Sequence, residues 1–235
     1  MSFDLVHSIF LWCKKKEVSF SYSEILDSTQ ILAKKEISSD HVLFFTTVQT
    51  AGRGRGQNQW LNTETPNQLF LSTWKFHTTK SILPVFSCKI GLVLYKALKA
   101  AWPMGAFSIK APNDIYLDDK KVSGLLIEST RHDNKNVFFV GLGLNVLNGP
   151  ELPTATSLFD SDLTIDETSW WTFLEKLFSG LNQEIERVDQ KLDAKTCEEL
   201  VRAMNFFPHK KSEFTKVDAE GNIFSQDEKI SWMDL

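Results

Sequence analysis

Two arginines set among three glycines form the stretch of this sequence that is best suited to chemistry. Residues 49–60 read Q-T-A-G-R-G-R-G-Q-N-Q-W, and their informative members are Gly52, Gly54, Gly56, Arg53, Arg55 and Trp60. The glycines permit positive φ angles and a close approach of the backbone to a ligand. The arginines offer forked donors for a carboxylate or phosphate, and the tryptophan offers a flat aromatic face. The stretch predicts a mobile loop that closes over a small anionic ligand with an aromatic part.

Two common phosphate-binding loops do not fit this stretch. A Walker loop needs Lys-Ser or Lys-Thr after its last glycine, where this chain has Gln57 and Asn58. A dinucleotide fingerprint needs a third glycine at position 57, followed by a helix. A module that binds RNA through arginine and glycine is an alternative of a different class. The net charge of −4 argues against general affinity for nucleic acid.

The composition is that of a globular protein with reduced cysteines. The chain has 235 residues, 42% of them hydrophobic, which suits one large domain or two modest ones. Its three cysteines lie far apart, without a CxxC pair, and its five histidines are scattered, so a zinc site is not expected. Neither a secretory signal nor a membrane span is evident. These features predict a cytoplasmic protein.

The elements around the loop indicate an α+β fold. We expect strands at residues 5–13, 18–22, 42–48, 67–76 and 137–146, and helices at 26–36, 84–101, 169–193 and 194–206. Asp27 or Ser28 would cap the first helix. Within 109–129, Pro112 and Asn113 break a strand that resumes at 115–117, and a turn at 118–121 leads into a strand at 124–128. The sequence of residues 213–233 predicts a small hairpin.

Five motifs, in this order along the chain, resemble those of a biotin protein ligase. They are D-S-T-Q at 27–30, Q-T-A-G-R-G-R-G at 49–56 with Trp60, K-A-P-N-D-I-Y at 110–116, Lys121 with Gly124, and G-L-G-L-N at 141–145. The resemblance covers roughly residues 20–160. It implies a mixed sheet flanked by helices, as in the catalytic domains of class II aminoacyl-tRNA synthetases, over residues 1–206. Residues 207–235 would be a short tail or hairpin in place of the C-terminal barrel of the family.

The same resemblance implies a role for each matched residue. The biotin-binding set would be Ser28, Thr29, Gln30, Gln49, Gly52, Arg53, Gly54, Arg55, Lys121 and Gly124. The set that binds ATP and the adenylate would be Trp60, Lys110, Asn113, Asp114 and Asn145. The catalytic residues would be Lys121, Arg53 and Arg55. No cluster of protein ligands for a metal is expected, and Mg²⁺ would arrive with ATP near Asp114.

The implied activity is the formation of biotinyl-5′-AMP from biotin and ATP, followed by transfer of biotin to a lysine of a biotin carboxyl carrier domain. Because two anions meet in the first step, cationic side chains and Mg²⁺ are needed to neutralise charge. The implied partners are the carrier domain, biotin and ATP, without nucleic acid or membrane, and the protein would be a monomer or homodimer. No DNA-binding domain precedes the motifs, so a repressor role is not expected.

The sequence departs from the family at two places. Ala111 replaces the usual tryptophan between lysine and proline, and Gly56-Gln57-Asn58 replaces a more basic segment. The alternative within the superfamily is a lipoate or octanoate ligase or transferase, which lacks the G-R-G-R loop and the tryptophan.

Overall fold

The computed structural model describes residues 3–63, 65–226 and 228–232. The chain separates into two compact units, the first made of Met1–Thr79 and Val122–Trp171 and the second of Lys80–Lys121 and Thr172–Leu235. Each unit combines strands with helices, which confirms the α+β class. The division of the chain at residue 206 stays a prediction.

The strands and helices have the following bounds. The strands are β1 Phe20–Tyr22, β2 Ile25–Leu26, β3 Leu43–Thr46, β4 Val48–Gln49, β5 Leu69–Thr78, β6 Phe107–Lys110, β7 Asp114–Leu117, β8 Lys120–His132, β9 Lys135–Asn145, β10 Phe214–Val217, β11 Asn222–Ser225 and β12 Lys229–Ser231. The helices are α1 Leu5–Lys16, α2 Thr29–Lys35, α3 Phe86–Ala101, α4 Glu167–Glu186 and α5 Ala194–Asn205, with a 3₁₀ turn at Phe159–Ser161. In the described part of the chain, none of the helices is both long enough and apolar enough to span a membrane.

The first unit is built on a mixed sheet of five strands in the order β1-β3-β5-β9-β8. Strand β1 runs parallel to β3, whereas the other neighbours are antiparallel. Neighbouring residues of a strand point to opposite faces. Phe45 contacts Phe10 of α1, whereas Phe44 belongs to the apolar cluster around Ala33 of α2. One helix therefore covers each face.

Helix α1 replaces the strand predicted at residues 5–13, and that prediction was wrong. Leu5, Ile9 and Trp12 are buried and recur at helical spacing. The helix begins after Asp4, whose carboxylate accepts a hydrogen bond from the backbone N–H of His7. Its last turn carries lysines 14–16, which suit the negative end of the helix dipole. The apolar residues of this segment therefore form one buried face of a helix.

Helix α2 is held at its C-terminal end by a buried lysine. Lys75 of β5 donates from Nζ to the carbonyl oxygens of Glu36 (2.9 Å), Ile37 (3.3 Å) and Ser39 (2.6 Å). Burial lowers the pKa of Lys75, and Glu36 acts in the opposite direction. These bonds hold the segment that follows the last residue of the helix, Lys35, against β5. Because a helix of seven residues is marginal by itself, such anchors fix its position.

The second unit corrects the prediction for residues 109–117. The strand does not resume after Pro112 and Asn113, because the chain reverses there and β6 pairs antiparallel with β7, with Lys110 opposite Asp114. Strands β10, β11 and β12 form a separate antiparallel sheet, so the predicted hairpin gains a third strand; its positions 227 and 233 lie outside the described residues. Trp232 donates from Nε1 to the carbonyl oxygen of Pro112 (2.9 Å) and supports the turn.

Helix α4 ends earlier than predicted. The expected helix at 169–193 stops at Glu186, and a turn at residues 187–189 follows it. Asp193 then caps the next helix by accepting from the backbone N–H of Thr196. Helices α3 and α5 lie close to the predicted ranges 84–101 and 194–206.

Candidate functional site

A buried network of hydrogen bonds lies at the N-terminal end of α2, in the first unit. Thr29 donates its backbone N–H to Oε1 of Gln49 (2.7 Å), and its hydroxyl lies 3.2 Å from the same oxygen. Thr73 of β5 places its hydroxyl 2.9 Å from Oγ1 of Thr29 and 2.9 Å from Oε1 of Gln30. Gln30 donates from Nε2 to the carbonyl oxygens of Phe139 and Leu126. Two of the predicted motifs, 27–30 and 49–56, therefore meet in one network.

The glycine-rich loop folds back on itself as a small hairpin. The backbone N–H of Gly54 donates to the carbonyl oxygen of Asn58 (2.8 Å), and that of Trp60 donates to Gly52 (3.1 Å). A Cβ at Gly52 would lie 2.6 Å from the carbonyl oxygen of Trp60 and 3.3 Å from Nε2 of Gln49, so only glycine fits there. Gly56 has φ of +65°, which favours glycine. A contact within the loop thus requires glycine at position 52, and the backbone conformation favours it at position 56.

The indole of Trp60 lies on bare backbone of β9. A Cβ at Gly143 would come within 2.5 Å of the Trp60 ring. Gly124 of β8 is paired directly opposite Gly143, so two adjacent strands lack side chains at this place on the sheet. A Cβ at Gly141, two residues earlier, would lie 2.8 Å from Oε1 of Gln30. Gly143 and Gly141 therefore make room for Trp60 and Gln30.

Arg53 joins a cluster of charges that the sequence did not reveal. Its Nη2 lies 3.7 Å from Oε1 of Glu128 in β8, and Lys34 of α2 lies 2.8 Å from the same oxygen. Burial raises the pKa of the Glu128 carboxyl, but hydrogen bonds from Lys34 and Gln30 and the charges of Lys34 and Arg53 lower it more, so the net shift is downward. Glu128 therefore remains ionised and attracts the arginine of the loop.

Asn145 is the last residue of β9, and only one half of its side-chain amide is hydrogen-bonded. Its Nδ2 donates to the carbonyl oxygen of Thr156 (2.8 Å). Its Oδ1 is buried, and no donor among the described residues reaches it. A buried acceptor without a partner costs about 1–3 kcal/mol, so this oxygen fits a ligand with an N–H group, such as the amino group of adenine.

The second unit contains the other four predicted residues. Lys121 Nζ lies 2.7 Å from Oδ1 of Asp114. Lys110 is paired opposite Asp114 across the hairpin, and its Nζ lies 5.7 Å from the centre of the Tyr116 ring. Asn113 lies in the turn between them. The ion pair places Lys121 at a carboxylate, whereas a lysine in an ordinary turn would extend into solvent.

The structure thus distributes the predicted residues over the two units. The first unit contains Ser28, Thr29, Gln30, Gln49, Gly52, Arg53, Gly54, Arg55, Trp60, Gly124 and Asn145, and the second contains Lys110, Asn113, Asp114 and Lys121. Sequence reasoning missed Thr73, Glu128 and Lys34. For Thr73, the only signal was that a polar residue lies inside an apolar strand. Ser72 and Lys75 of the same strand give the same signal, so it does not single out Thr73.

No group of three or more metal-ligating side chains occurs among the residues that the structure describes. Asp114 offers a single carboxylate, which is the usual protein contribution to an Mg²⁺ ion that is otherwise held by phosphates and water. The residues therefore fit a metal that accompanies a nucleotide.

Comparison with known proteins identifies the family of this chain. The biotin/lipoate A/B protein ligase family matches residues 22–145. Biotin--protein ligase 2 of Arabidopsis thaliana is 30% identical over 141 residues, which is 57% of this chain and 41% of the relative. Biotin--[acetyl-CoA-carboxylase] ligase of Paracoccus denitrificans is 34% identical over 107 residues, or 44% of this chain and 43% of the relative. This chain thus spans less than half the length of these two curated relatives.

The fold has close structural counterparts. The structure of biotin protein ligase from Aquifex aeolicus in complex with biotin and ATP superposes with a TM-score of 0.69 at 23% identity, covering 90% of this chain and 95% of that one. The biotin protein ligase from Leishmania major in complex with biotinyl-5-AMP gives a TM-score of 0.58 at 19% identity, covering 91% and 98%. At these identities the likeness concerns the fold. The match to the family covers more than half of this chain, and the chain therefore belongs to the biotin/lipoate A/B protein ligase family.

Proposed function

We propose that this protein is a biotin–protein ligase, which activates biotin as biotinyl-5′-AMP and transfers it to a lysine of a biotin carboxyl carrier domain. The names of its relatives and the ligands of its structural counterparts support biotin and ATP as substrates. The three cysteines are free thiols, which fits a reducing compartment such as the cytoplasm.

The observation that carries the proposal is the arrangement of Thr29, Gln49 and the glycine loop in the first unit. Oε1 of Gln49 is occupied by Thr29, so its Nε2 keeps hydrogens to donate, and no acceptor among the described residues engages it. Gly52 lies against both that amide and Trp60. Amide and hydroxyl groups at one place suit a small polar ring such as the ureido ring of biotin.

The charged residues have the roles that adenylation requires. The carboxylate of biotin attacks the α-phosphate of ATP, and pyrophosphate leaves. Arg53 and Arg55 would neutralise the phosphate and Lys121 the biotin carboxylate, because two anions must approach each other. When bound, Mg²⁺ would supply further charge neutralisation on the phosphates, and Asp114 would be the protein carboxylate that holds it. Asn145 Oδ1 would accept from the amino group of adenine. The mixed anhydride is then attacked by the lysine amine, and AMP leaves.

Exchange of labelled pyrophosphate into ATP tests this proposal directly. With biotin present, the purified protein should catalyse the exchange, and with a carrier domain it should attach one biotin to one lysine. Lipoate and octanoate serve as the matched substrates. Exchange with either of them and none with biotin would show that the proposed substrate is wrong.

A further inference from the structure

We infer that Trp232 is a positioning residue for the nucleotide, because it holds the turn that contains Asn113 and leads into Asp114. The inference rests on the proposed function and deepens it, since Lys110, Asn113 and Asp114 are the residues of the second unit that are assigned to ATP. Trp232 directly follows β12, the last strand of the C-terminal sheet, and belongs to the same unit as the turn. Neither the sequence pattern nor the family resemblance gave it a role.

The turn between β6 and β7 lacks a buried side chain of its own. None of residues 111–114, all of which the structure describes, is more than partly buried, and the first buried residue after them is Ile115. Position 111 holds alanine, where the family resemblance leads us to expect tryptophan. A segment with few buried apolar contacts opens easily. A contact from elsewhere in the chain can therefore decide where this turn lies.

Trp232 supplies such a contact from 120 residues further along the chain. Its side chain is 2% exposed, and its Nε1 donates to the carbonyl oxygen of Pro112 at 2.9 Å. The indole nitrogen can only donate, and the main chain of Pro112 can only accept because proline has no N–H. A buried indole N–H without an acceptor is unfavourable. The bond therefore favours the position of the turn that brings Pro112 to the indole.

The indole is fixed by the C-terminal sheet and by α3. The backbone N–H of Trp232 donates to the carbonyl oxygen of Gly221 at 3.2 Å. A Cβ at Gly91 of α3 would lie 3.7 Å from the indole ring, and a Cβ at Gly221 would lie 3.2 Å from Sγ of Cys88, also in α3. Both the ring and the sheet therefore pack closely on this helix. Trp232 is attached to the core of the second unit.

The C-terminal segment contacts the same hairpin at two further points. The ring of Phe207 lies 4.8 Å from that of Tyr116, in edge contact, and Nε2 of His209 lies 3.1 Å from the carbonyl oxygen of Asp119. Together with Trp232, these residues contact the turn before β7, β7 itself and the turn after it. The position of the whole hairpin is therefore set from the C-terminal segment, and Trp232 contacts the part that is assigned to ATP.

A loosened turn should weaken nucleotide binding more than it slows the chemical step. If the turn takes its binding position for only part of the time, the apparent Kd rises in inverse proportion to that fraction. The modest net free energy of one hydrogen bond corresponds to a change of about threefold to tenfold. The change should appear in the KM for ATP and much less in kcat. Biotin should bind within about twofold of the wild type, since the residues proposed for its ring lie in the first unit.

Trp232→Phe tests this role, because it removes the N–H and keeps an aromatic ring. Ile223→Val in β11 is the matched control: Ile223 is buried in the same sheet, and this change costs about as much stability as one hydrogen bond. In calorimetric titrations, the Kd for MgATP should rise about threefold to tenfold in Trp232→Phe and less than about twofold in Ile223→Val. Amide hydrogen exchange at residues 110–117 of the free protein should accelerate in Trp232→Phe alone.

The wild type offers a second measurement that needs no variant. Because coupling between two equilibria is reciprocal, a bond that favours MgATP must itself be favoured when MgATP binds. Exchange of the Trp232 indole hydrogen with solvent, followed by NMR, should therefore slow about threefold to tenfold at saturating MgATP. The indole hydrogen of Trp102, which is buried in the same unit, is the internal reference.

The outcomes distinguish the inference from the proposed function. An unchanged Kd for MgATP in a folded Trp232→Phe protein, or an equal rise in Ile223→Val, would show that Trp232 only stabilises the fold. Indole exchange that is the same with and without MgATP would overturn the inference even if Trp232→Phe does not fold. In these cases pyrophosphate exchange with biotin by the wild type would leave the proposed function standing. A wild type that does not bind MgATP would refute both.

Discussion

Oε1 of Gln49 accepts the backbone N–H of Thr29 at 2.7 Å, and this bond ties the first residue of α2 to the residue that begins the glycine loop. The backbone adds a second link, because the N–H groups of Thr50 and Ala51 donate to the carbonyl oxygens of Leu26 and Asp27 at 2.9 Å. The start of the helix and the start of the loop are therefore one structural element, although 20 residues separate them.

Replacing Gln49 should affect stability and binding together. Gln49→Met removes the acceptor of a buried N–H, so the free energy of unfolding should fall by about 1–3 kcal/mol. It also removes the donor proposed for biotin, so the KM for biotin should rise. Urea denaturation and pyrophosphate exchange measure the two effects. A variant with wild-type stability would show that water replaces the lost acceptor.

Lys121 and Lys120 form a matched pair at the start of β8. Lys121→Ala removes the partner of Asp114 and the cation proposed for the biotin carboxylate, so adenylate formation should weaken by about 2 kcal/mol or more, at saturating biotin as well. Lys120 is exposed, and Lys120→Ala should change activity or stability by about half a kcal/mol or less. Small and equal effects in single-turnover adenylation would remove Lys121 from the catalytic residues.

The glycine at position 143 is predicted to control the position of Trp60. In Gly143→Ala the new methyl group would lie 2.5 Å from the indole, so the ring must move. Because the family resemblance assigns Trp60 to the residues that bind ATP and the adenylate, we expect the KM for ATP to rise several-fold. Gly91→Ala in α3 is the control, since its new methyl group would meet Trp232 at an ordinary 3.7 Å. If the two variants bind ATP equally well, Trp60 does not take part in nucleotide binding.

The loop at residues 51–59 should be ordered further by its ligands. Three glycines make it costly to fix, and contacts with biotin and ATP would compensate for the lost entropy. Trypsin should therefore cleave after Arg53 or Arg55 more slowly when both substrates are present, as mass spectrometry of early fragments would show. Equal cleavage rates with and without the substrates would contradict this expectation.

Glu128 should make stability depend on acidic pH. Its carboxyl has a lowered pKa in the folded protein, so the unfolded chain binds the proton more readily. The contribution of Glu128 is then complete above its ordinary pKa of about 4.3 and is lost as the pH falls through the lower folded value. The difference in stability between the wild type and Glu128→Gln, measured by denaturation at several pH values, should shrink in that acidic range. A constant difference would mean that its charge is not coupled to Lys34 and Arg53.

The sequence was most informative where a single residue type is required by local geometry. Gly52 was predicted to allow close approach, and the structure shows that the carbonyl group of Trp60 approaches it. The run at 5–13 misled us, because a short apolar segment fits a strand and a helix equally well until its buried neighbours are known. Thr73 and Glu128 could not be found, since their partners lie more than 40 residues away along the chain. Long-range pairing leaves no local pattern.

The two anchors of α2 are both side chains of β5, because Thr73 contacts its first turn and Lys75 binds the carbonyl groups at its end. A helix fastened at both ends to one central strand cannot tilt or slide without breaking several buried bonds at once. Substrate binding should therefore leave the amide hydrogen exchange of α2 nearly unchanged, while that of residues 51–60 slows. The helix would then be the rigid side of the binding site, and the loop would be the side that moves.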